Sequence, residues 1–531
     1  MKIPSEILRV YKTLHTWTGI VSGLVLFIGF FAGALTLFKQ PLDRWASPPA
    51  LAWQSAAAVD DLLVPEVLAA HPAARAGYTV HLRRQEHIPG PISWQAGPEG
   101  RGEIETERWY AGRNAQGQLQ AAPLAQSPLG ELVDLLHRTA GIPGRLGDEH
   151  LGVYVMGVAA VLYFLALVSG LVLYLPTLVK DFLALRRGKN RKRFWLDAHN
   201  LVGLASLPFH LVISLTVIVF AFHDEFYDAL GAAVYRAQPM FTPPAGMGRP
   251  GPEAPLLSVS RVLERVQQEA PGFEPLRLEF MGLDSPRPML RVALVDGQHR
   301  LHGPEAAYLV LNPYTGRVLN DSMLPGRENA WSAWVNTFFA VHFGSFGGDT
   351  GRWLYLALGL GGAFLFYSGN LLWLESRRRR QNSSRGSGGG LAVQRMAAAT
   401  VGSCLGAMLG IGLALLAAKL LHASDWGLDL QTRYLAAYYL GWGGCLLHAF
   451  LRGASRAAPV QLSVCALVAL AIPLSSWLGP WAHGSTWGVD LGALILALAL
   501  AWAARLTRRR LAGADPDTVW ARGVAQVQRL N

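Results

Sequence analysis

Apolar positions along the chain gather into long uninterrupted runs, and polar residues fill the gaps between them. The first run extends from about Thr18 to Phe38. Others occupy about 151–175, 201–222 and 353–374, and four more follow at about 396–421, 434–451, 460–478 and 488–506. Each is long enough to cross a hydrocarbon core of about 30 Å at about 1.5 Å per residue. The pattern predicts eight transmembrane helices. Two long connections have a different texture. In the second, Leu256, Leu257, Val259, Val262, Leu263 and Val266 recur every three to four residues, which predicts a helix closed by Pro271 and Gly272. Strand-like segments follow at Pro275–Phe280, Met289–Leu294 and Ala307–Leu311. The turn Asn312-Pro313-Tyr314-Thr315-Gly316 then leads into a last strand. The first connection is a weaker copy, with a helix around Val59–Ala70 and strands at Tyr78–Arg83 and Glu107–Tyr110.

Composition agrees. Of 531 residues, 51% are apolar and 16% charged, whereas soluble domains carry roughly 25% charged residues. Basic clusters at Arg186–Arg193, Arg377–Arg380, Arg452–Arg456 and Arg505–Arg510 each follow an even-numbered run. Excess Lys and Arg mark cytoplasmic loops. Both termini are therefore expected in the cytoplasm, and the long connections outside. The formal charge of +11 reports topology and gives no reason to expect nucleic-acid binding. Residues 1–40 read as a signal anchor, because the apolar run is too long for a cleaved signal peptide.

The expected fold class is a mainly α membrane protein. It has duplicated two-helix transmembrane units, two small α+β outward domains and a C-terminal four-helix transmembrane extension. In order these are a first span (1–40), an outward domain (41–150), a second span (151–177) and a basic cytoplasmic loop (178–198). A third span (199–222), a second outward domain (223–350) and a fourth span (351–376) follow. A cytoplasmic linker (377–395), the extension (396–510) and a cytoplasmic tail (511–531) complete the chain.

Histidines mark the duplication. Leu14-His15-Thr16-Trp17-Thr18-Gly19 and Ala198-His199-Asn200-Leu201-Val202-Gly203 each place a His four residues before a Gly. A second pair precedes the even-numbered runs. His137 stands ahead of the run ending Ser169-Gly170-Leu171, and His342 ahead of the run ending Ser368-Gly369-Asn370. One His near each membrane face of a duplicated unit suits haem b, which needs one or two axial imidazoles and an apolar cleft. A pseudo-twofold axis along the membrane normal would bring His15 and His199 face to face on the cytoplasmic side, with His137 and His342 as the outward pair. Gly19 and Gly203, one turn deeper, would let a flat ring approach the backbone. On a continuous helix His210 would lie about 20° off the face of His199 and about 16 Å deeper. It is read as a partner for His342 in place of His137, as a bridge between the two sites, or as a packing residue.

The remaining histidines suggest less. His150 and His223 lie at span ends and read as interfacial. His422, His448 and His483 read as loop or packing residues, and His81, His87, His299 and His302 as surface histidines. Trp17, Trp45, Trp331, Trp334, Trp353 and Trp373 mostly fit an aromatic interface belt. Cys404, Cys445 and Cys465 fall within predicted spans, and the absence of CxxCH excludes covalent haem attachment by motif.

Several segments carry a family resemblance. Leu196-Asp197-Ala198-His199-Asn200, Leu207-Pro208-Phe209-His210-Leu211, and His342-Phe343-Gly344-Ser345-Phe346-Gly347-Gly348 with Arg352-Trp353-Leu354-Tyr355 resemble the PepSY-associated transmembrane helix family. So does His137 followed by Gly141-Ile142-Pro143-Gly144-Arg145-Leu146-Gly147, and the turn at Asn312 resembles the end of a PepSY domain. The resemblance covers about residues 8–380. It implies an iron-regulated inner-membrane protein, similar to haem-containing reductases that release iron from ferric siderophores in the periplasm, and it implies that the outward domains are PepSY-like. Long members often carry a second His four residues after the one matching His137. Gly141 stands there, so that role is not transferred.

The expected function is therefore an oxidoreductase with about two non-covalent b haems. Its axial ligands would come from His15, His137, His199, His342 and, alternatively, His210. It would pass electrons from quinol or a cytoplasmic flavoprotein to a ferric siderophore. The chain has no GxGxxG fingerprint after a strand, so the donor is external. The competing readings are a transporter of siderophore, haem or peptide, and a non-enzymatic periplasmic regulator.

Overall fold

The computed structural model describes residues 3–47, 60–83, 88–95, 108–124, 127–182, 184–186, 191–235, 248, 251, 254–298, 306–383, 390–421, 430–478 and 487–512. His87, His299, His302, His422 and His483 lie outside the described residues, as does most of the basic loop after Arg186. The chain divides into two compact units. One comprises residues 1–47, 127–222 and 355–531, the other 48–126 and 223–354.

The first unit is helical. α1 (Ser5–Thr36) is followed by the short α2 (Lys39–Ala46). The second unit contributes α3 (Leu63–Ala70), and the chain then returns through α4 (Leu129–Thr139), α5 (Leu151–Tyr174), α6 (Leu178–Asp181), α7 (Arg191–Ala205) and α8 (Leu207–Ala221). The second unit adds α9 (His223–Leu230), α10 (Val259–Glu269) and α11 (Ala330–Phe343). α12 (Gly348–Ser383) leads into the extension, formed by α13 (Gly390–Leu420), α14 (Leu430–Arg452), α15 (Ala454–Leu478) and α16 (Trp487–Ala512).

Among the described residues, six helices are individually long and apolar enough to cross a membrane, and a bent pair brings the number to seven. The expected sixth span, α14, is a 23-residue helix, but Arg433, three tyrosines, His448 and Arg452 lower its hydropathy. The bent pair is the expected third span. Its halves α7 and α8 meet at 68°. Pro208 sits in the first turn of α8, where it lacks an N–H and its ring opposes the carbonyl of the preceding turn. The single-helix geometry expected for His199 and His210 does not hold across this break.

The second unit is built on one antiparallel sheet. Its strands are β1 (Gly77–His81), β2 (Ile92–Gln95), β3 (Arg108–Arg113), β4 (Leu119–Leu124), β7 (Glu274–Met281), β8 (Met289–Val295), β9 (Ala307–Leu311) and β10 (Val318–Met323). A separate two-stranded ribbon pairs β5 (Arg145–Leu146) with β6 (Glu149–His150) in the first unit. The large sheet has the order β10-β9-β8-β7-β1-β2-β3-β4. The expected separate outward domains therefore share a sheet, joined where β1 pairs with β7 from Gly77↔Met281 to His81↔Arg277. Pairing covers two edges that would otherwise expose free backbone groups. α3 and α10 lie on one face of the sheet, where Val67, Val262 and Val266 pack with Val80, Leu278, Leu290 and Leu309. Each such side chain contributes about 1.5–3 kcal/mol by burial. On the other face Glu279 accepts from Arg277 Nε at 2.6 Å and Arg291 Nε at 2.5 Å.

Candidate functional site

Three of the four histidines singled out by the repeat, His15, His137 and His199, fall into a consistent arrangement in the first unit. His15, on α1, donates from Nδ1 to the carbonyl of Ala166 on α5 at 2.8 Å. His137, in the last turn of α4, donates from Nδ1 to the carbonyl of Gly29 on α1 at 2.8 Å. His199, on α7, lies 2.9 Å from Ser368 Oγ on α12. That hydroxyl itself donates to Leu365 O at 3.2 Å, so it accepts from His199. A carbonyl can only accept. All three rings are therefore fixed as the tautomer whose Nε2 carries the lone pair, the state required of a metal-ligating imidazole.

Each ring also rests on a glycine. A Cβ at Gly170 would stand 3.0 Å from His15 Cε1, one at Gly369 would stand 3.4 Å from His199 Cε1, and one at Gly33 would stand 2.5 Å from His137 Nδ1. Gly170 and Gly369 occupy the repeat-related Ser-Gly pairs, so His15 meets the second helix of its own unit as His199 meets the second helix of its unit. These close approaches are not at Gly19 and Gly203. Gly19 has no heavy atom within 4 Å of its Cβ position, and Gly203 has only Leu365 Cδ2, at 3.6 Å. The repeated Ser-Gly was the visible signal for the ring-bearing glycines.

α1 is a ruler for the two levels. His15 and Gly33 are eighteen residues apart on one helix, which corresponds to about 27 Å along its axis. Asp197, two residues before His199, is braced by Arg186 Nε at 2.9 Å and Arg193 Nε at 3.1 Å. These bonds hold the start of α7.

His210 differs. It is fully buried, and neither ring nitrogen has a hydrogen-bond partner among the described residues. Phe30, Phe209 and Tyr163 surround it at centroid distances of 5.6, 5.1 and 5.9 Å. Phe30 lies between Gly29 and Gly33, so His210 and His137 meet the same turn of α1 on neighbouring faces. A buried imidazole with both nitrogens unsatisfied is costly, and a metal bond would relieve it. His342 closes α11 in the second unit, before Gly344 at φ 68°, with its ring edge-on to Phe343 at 5.2 Å.

Other expectations are modified. Trp45 is wholly buried and does not belong to an interface belt. Its Nε1 donates to Asp490 Oδ1 at 2.9 Å and to Ser476 Oγ at 3.0 Å. Trp17, Trp331, Trp334 and Trp353 are exposed. His81 Nε2 lies 2.9 Å from Ser93 Oγ, and His223 pairs with Asp224. The three cysteines are buried and unpaired with one another. Among the described residues no three His, Cys, Asp or Glu side chains converge as a metal site. Beside α4, Asp43 accepts from the Gly130 N–H at 2.6 Å. Burial, assisted by Glu131, pushes its carboxyl up to about 7, against the opposing pull of that N–H and of Lys39.

An uncharacterised protein of Pseudomonas aeruginosa is 28% identical to this chain over 270 residues, covering 47% of the chain and 64% of that relative's length. The family model described as PepSY-associated TM region matches residues 12–376, which include all five histidines, the whole of the second unit and most of the first unit ahead of the extension. The repeat-related helix pairs and the extent of that match make this chain a member of the PepSY-associated TM region family.

Proposed function

We propose that the protein is a haem b-containing inner-membrane reductase that passes electrons across the membrane to a periplasmic ferric siderophore and releases Fe(II) for uptake. The observation that supports this reading is the shared state of His15, His137 and His199. Each has Nδ1 satisfied by a neighbouring helix, each rests on a glycine, and each presents a lone pair at Nε2. His15 and His199 would hold one haem. His137 would ligate the other, with His210, which meets the same turn of α1, as its partner, and His342 on α11 is the further candidate ligand. A bound haem supplies a one-electron couple whose potential follows its axial ligands. The chain's own part is to fix ring orientation and to exclude water from an aromatic interior of Phe30, Tyr163 and Phe366. Reduction weakens the hold of hard-oxygen chelators on iron. Both termini would be cytoplasmic, with the basic loop after Arg186 open to a flavoprotein donor and the spans open to quinol. The sheet unit, taken as PepSY-like, would dock the ferric chelate.

The decisive experiment is a pyridine haemochrome assay and redox spectrum on full-length protein expressed with haem supplementation. About two b haems per chain are expected. His199→Ala should lose one and keep the other, and His137→Ala the converse. Folded wild-type protein without haem would refute the reductase reading and leave the transporter and regulator readings.

A further inference from the structure

The extension lies beyond the family match, yet it reaches the outer histidine. α4, which carries His137, has only eleven residues. Helices this short are marginal alone, so tertiary contacts, those at its ends among them, hold His137 where it sits. α14 supplies contacts at both ends. Tyr434 OH lies 3.1 Å from Ser127 Oγ, just ahead of α4. Tyr439 OH donates to the carbonyl of Gly141 at 2.8 Å, just beyond it. There the chain turns through two left-handed residues, Ala140 at φ 51° and Gly141 at φ 72°. Tyr438 packs on that turn, its Cε1 3.1 Å from the Cβ position of Gly141. Tyr434 and Tyr438 are fully buried.

The tyrosines stand on a stiff support. Gly402, Gly406 and Gly410 of α13 face α14 so closely that added Cβ atoms would come within 2.8 Å of Leu446 Cα, 2.8 Å of Trp442 O and 2.5 Å of Tyr438 O. Small residues at this spacing let helix backbones meet. A second tie fastens the extension to α2. Lys419 Nζ donates to Ser476 Oγ at 2.7 Å and lies 4.3 Å from the Trp45 ring centroid, while Ser476 Oγ donates to Asp490 at 2.8 Å. Helix packing alone would be served by phenylalanine. Hydroxyls aimed at both ends of α4, that of Tyr434 buried and that of Tyr439 half-buried, indicate positional control.

We propose that the C-terminal extension is a clamp that positions His137, with Tyr434 and Tyr439 as positioning residues holding the two ends of α4. The proposal rests on the reading of His137 as an iron ligand. Its test uses full-length Tyr434→Phe/Tyr439→Phe. Amide hydrogen exchange across 129–144 should accelerate about fivefold or more, with 195–205 unchanged. In low-temperature EPR the ferric haem signal abolished by His137→Ala should shift in the double variant, while the signal dependent on His199 stays in place. Unchanged exchange across 129–144, equal acceleration throughout the protein, or an unshifted His137-dependent signal would overturn the clamp. Wild-type protein without haem would defeat the reductase reading, and the exchange arm would then decide alone whether the extension holds α4. If the double variant does not fold, Ser127→Ala and Tyr439→Phe as single variants undergo the same two measurements with the same criteria.

Discussion

Replacing Gly33 by Ala tests the ring-on-glycine arrangement at its tightest point. The new Cβ would stand 2.5 Å from His137 Nδ1 and 2.7 Å from Cε1. Comfortable contact needs about 3.5 Å, so the imidazole must retreat by about 1 Å. That carries Nδ1 out of hydrogen-bond range of Gly29 O, now at 2.8 Å. The lost bond costs about 1 kcal/mol and the overpacking about 1–3 kcal/mol. Exchanging Gly for Ala within a helix returns about 1 kcal/mol. The net effect is a loss of about 1–3 kcal/mol. Gly19 on the same helix is the control, because nothing lies within 4 Å of its Cβ position. Gly19→Ala should be neutral or stabilising by up to about 1 kcal/mol. Unfolding of both variants in detergent micelles, followed by circular dichroism, gives the comparison. Haem counting adds a functional readout, with loss confined to Gly33→Ala and to the His137-dependent haem. Equal stability of the two variants would refute the contact between His137 and Gly33.

Asp43→Asn addresses pH. The folded carboxyl titrates at about 7, above its ordinary value of 3.8. The folded state therefore holds this proton more tightly, and wild-type stability should fall as pH rises from about 4 to about 7. The Asn variant still accepts from Gly130 and should show a flatter profile over that window in pH-dependent thermal melts; parallel profiles would contradict the burial argument. Ser368→Ala removes the acceptor that fixes the His199 tautomer, so the His199-dependent haem should be held about 10–100-fold more weakly in a haem-transfer assay, with the His137-dependent haem unaffected. Glu279→Gln removes the shared partner of Arg277 and Arg291 on the sheet. It should destabilise the second unit by about 1–3 kcal/mol, seen as earlier proteolysis of that unit under urea, and resistance equal to wild type would deny the cluster a structural role.

Much of the architecture was legible because it follows local rules. Membrane spans are read from uninterrupted apolar length, and the helix Val259–Glu269 with its following strands was read from periods of 3.6 and 2. The duplication, and with it His15, His137, His199 and His342, was visible as repeated spacing. Tertiary structure decided the rest. The joining of β1 to β7 depends on two edges almost two hundred residues apart in sequence, and backbone pairing leaves no side-chain signature of which edge meets which. The 68° break before Pro208 follows from a steric clash whose direction only packing selects. The histidine tautomers were set by carbonyls of Ala166 and Gly29, groups that every residue possesses. Trp45 passed for an interface residue until Ser476 and Asp490, more than four hundred residues away, arrived beside it. Sequence singled out the repeat-related histidines and the apolar runs beside them. The fold decided which nitrogen each presents, because that depends on the acceptor a neighbouring helix places against the ring.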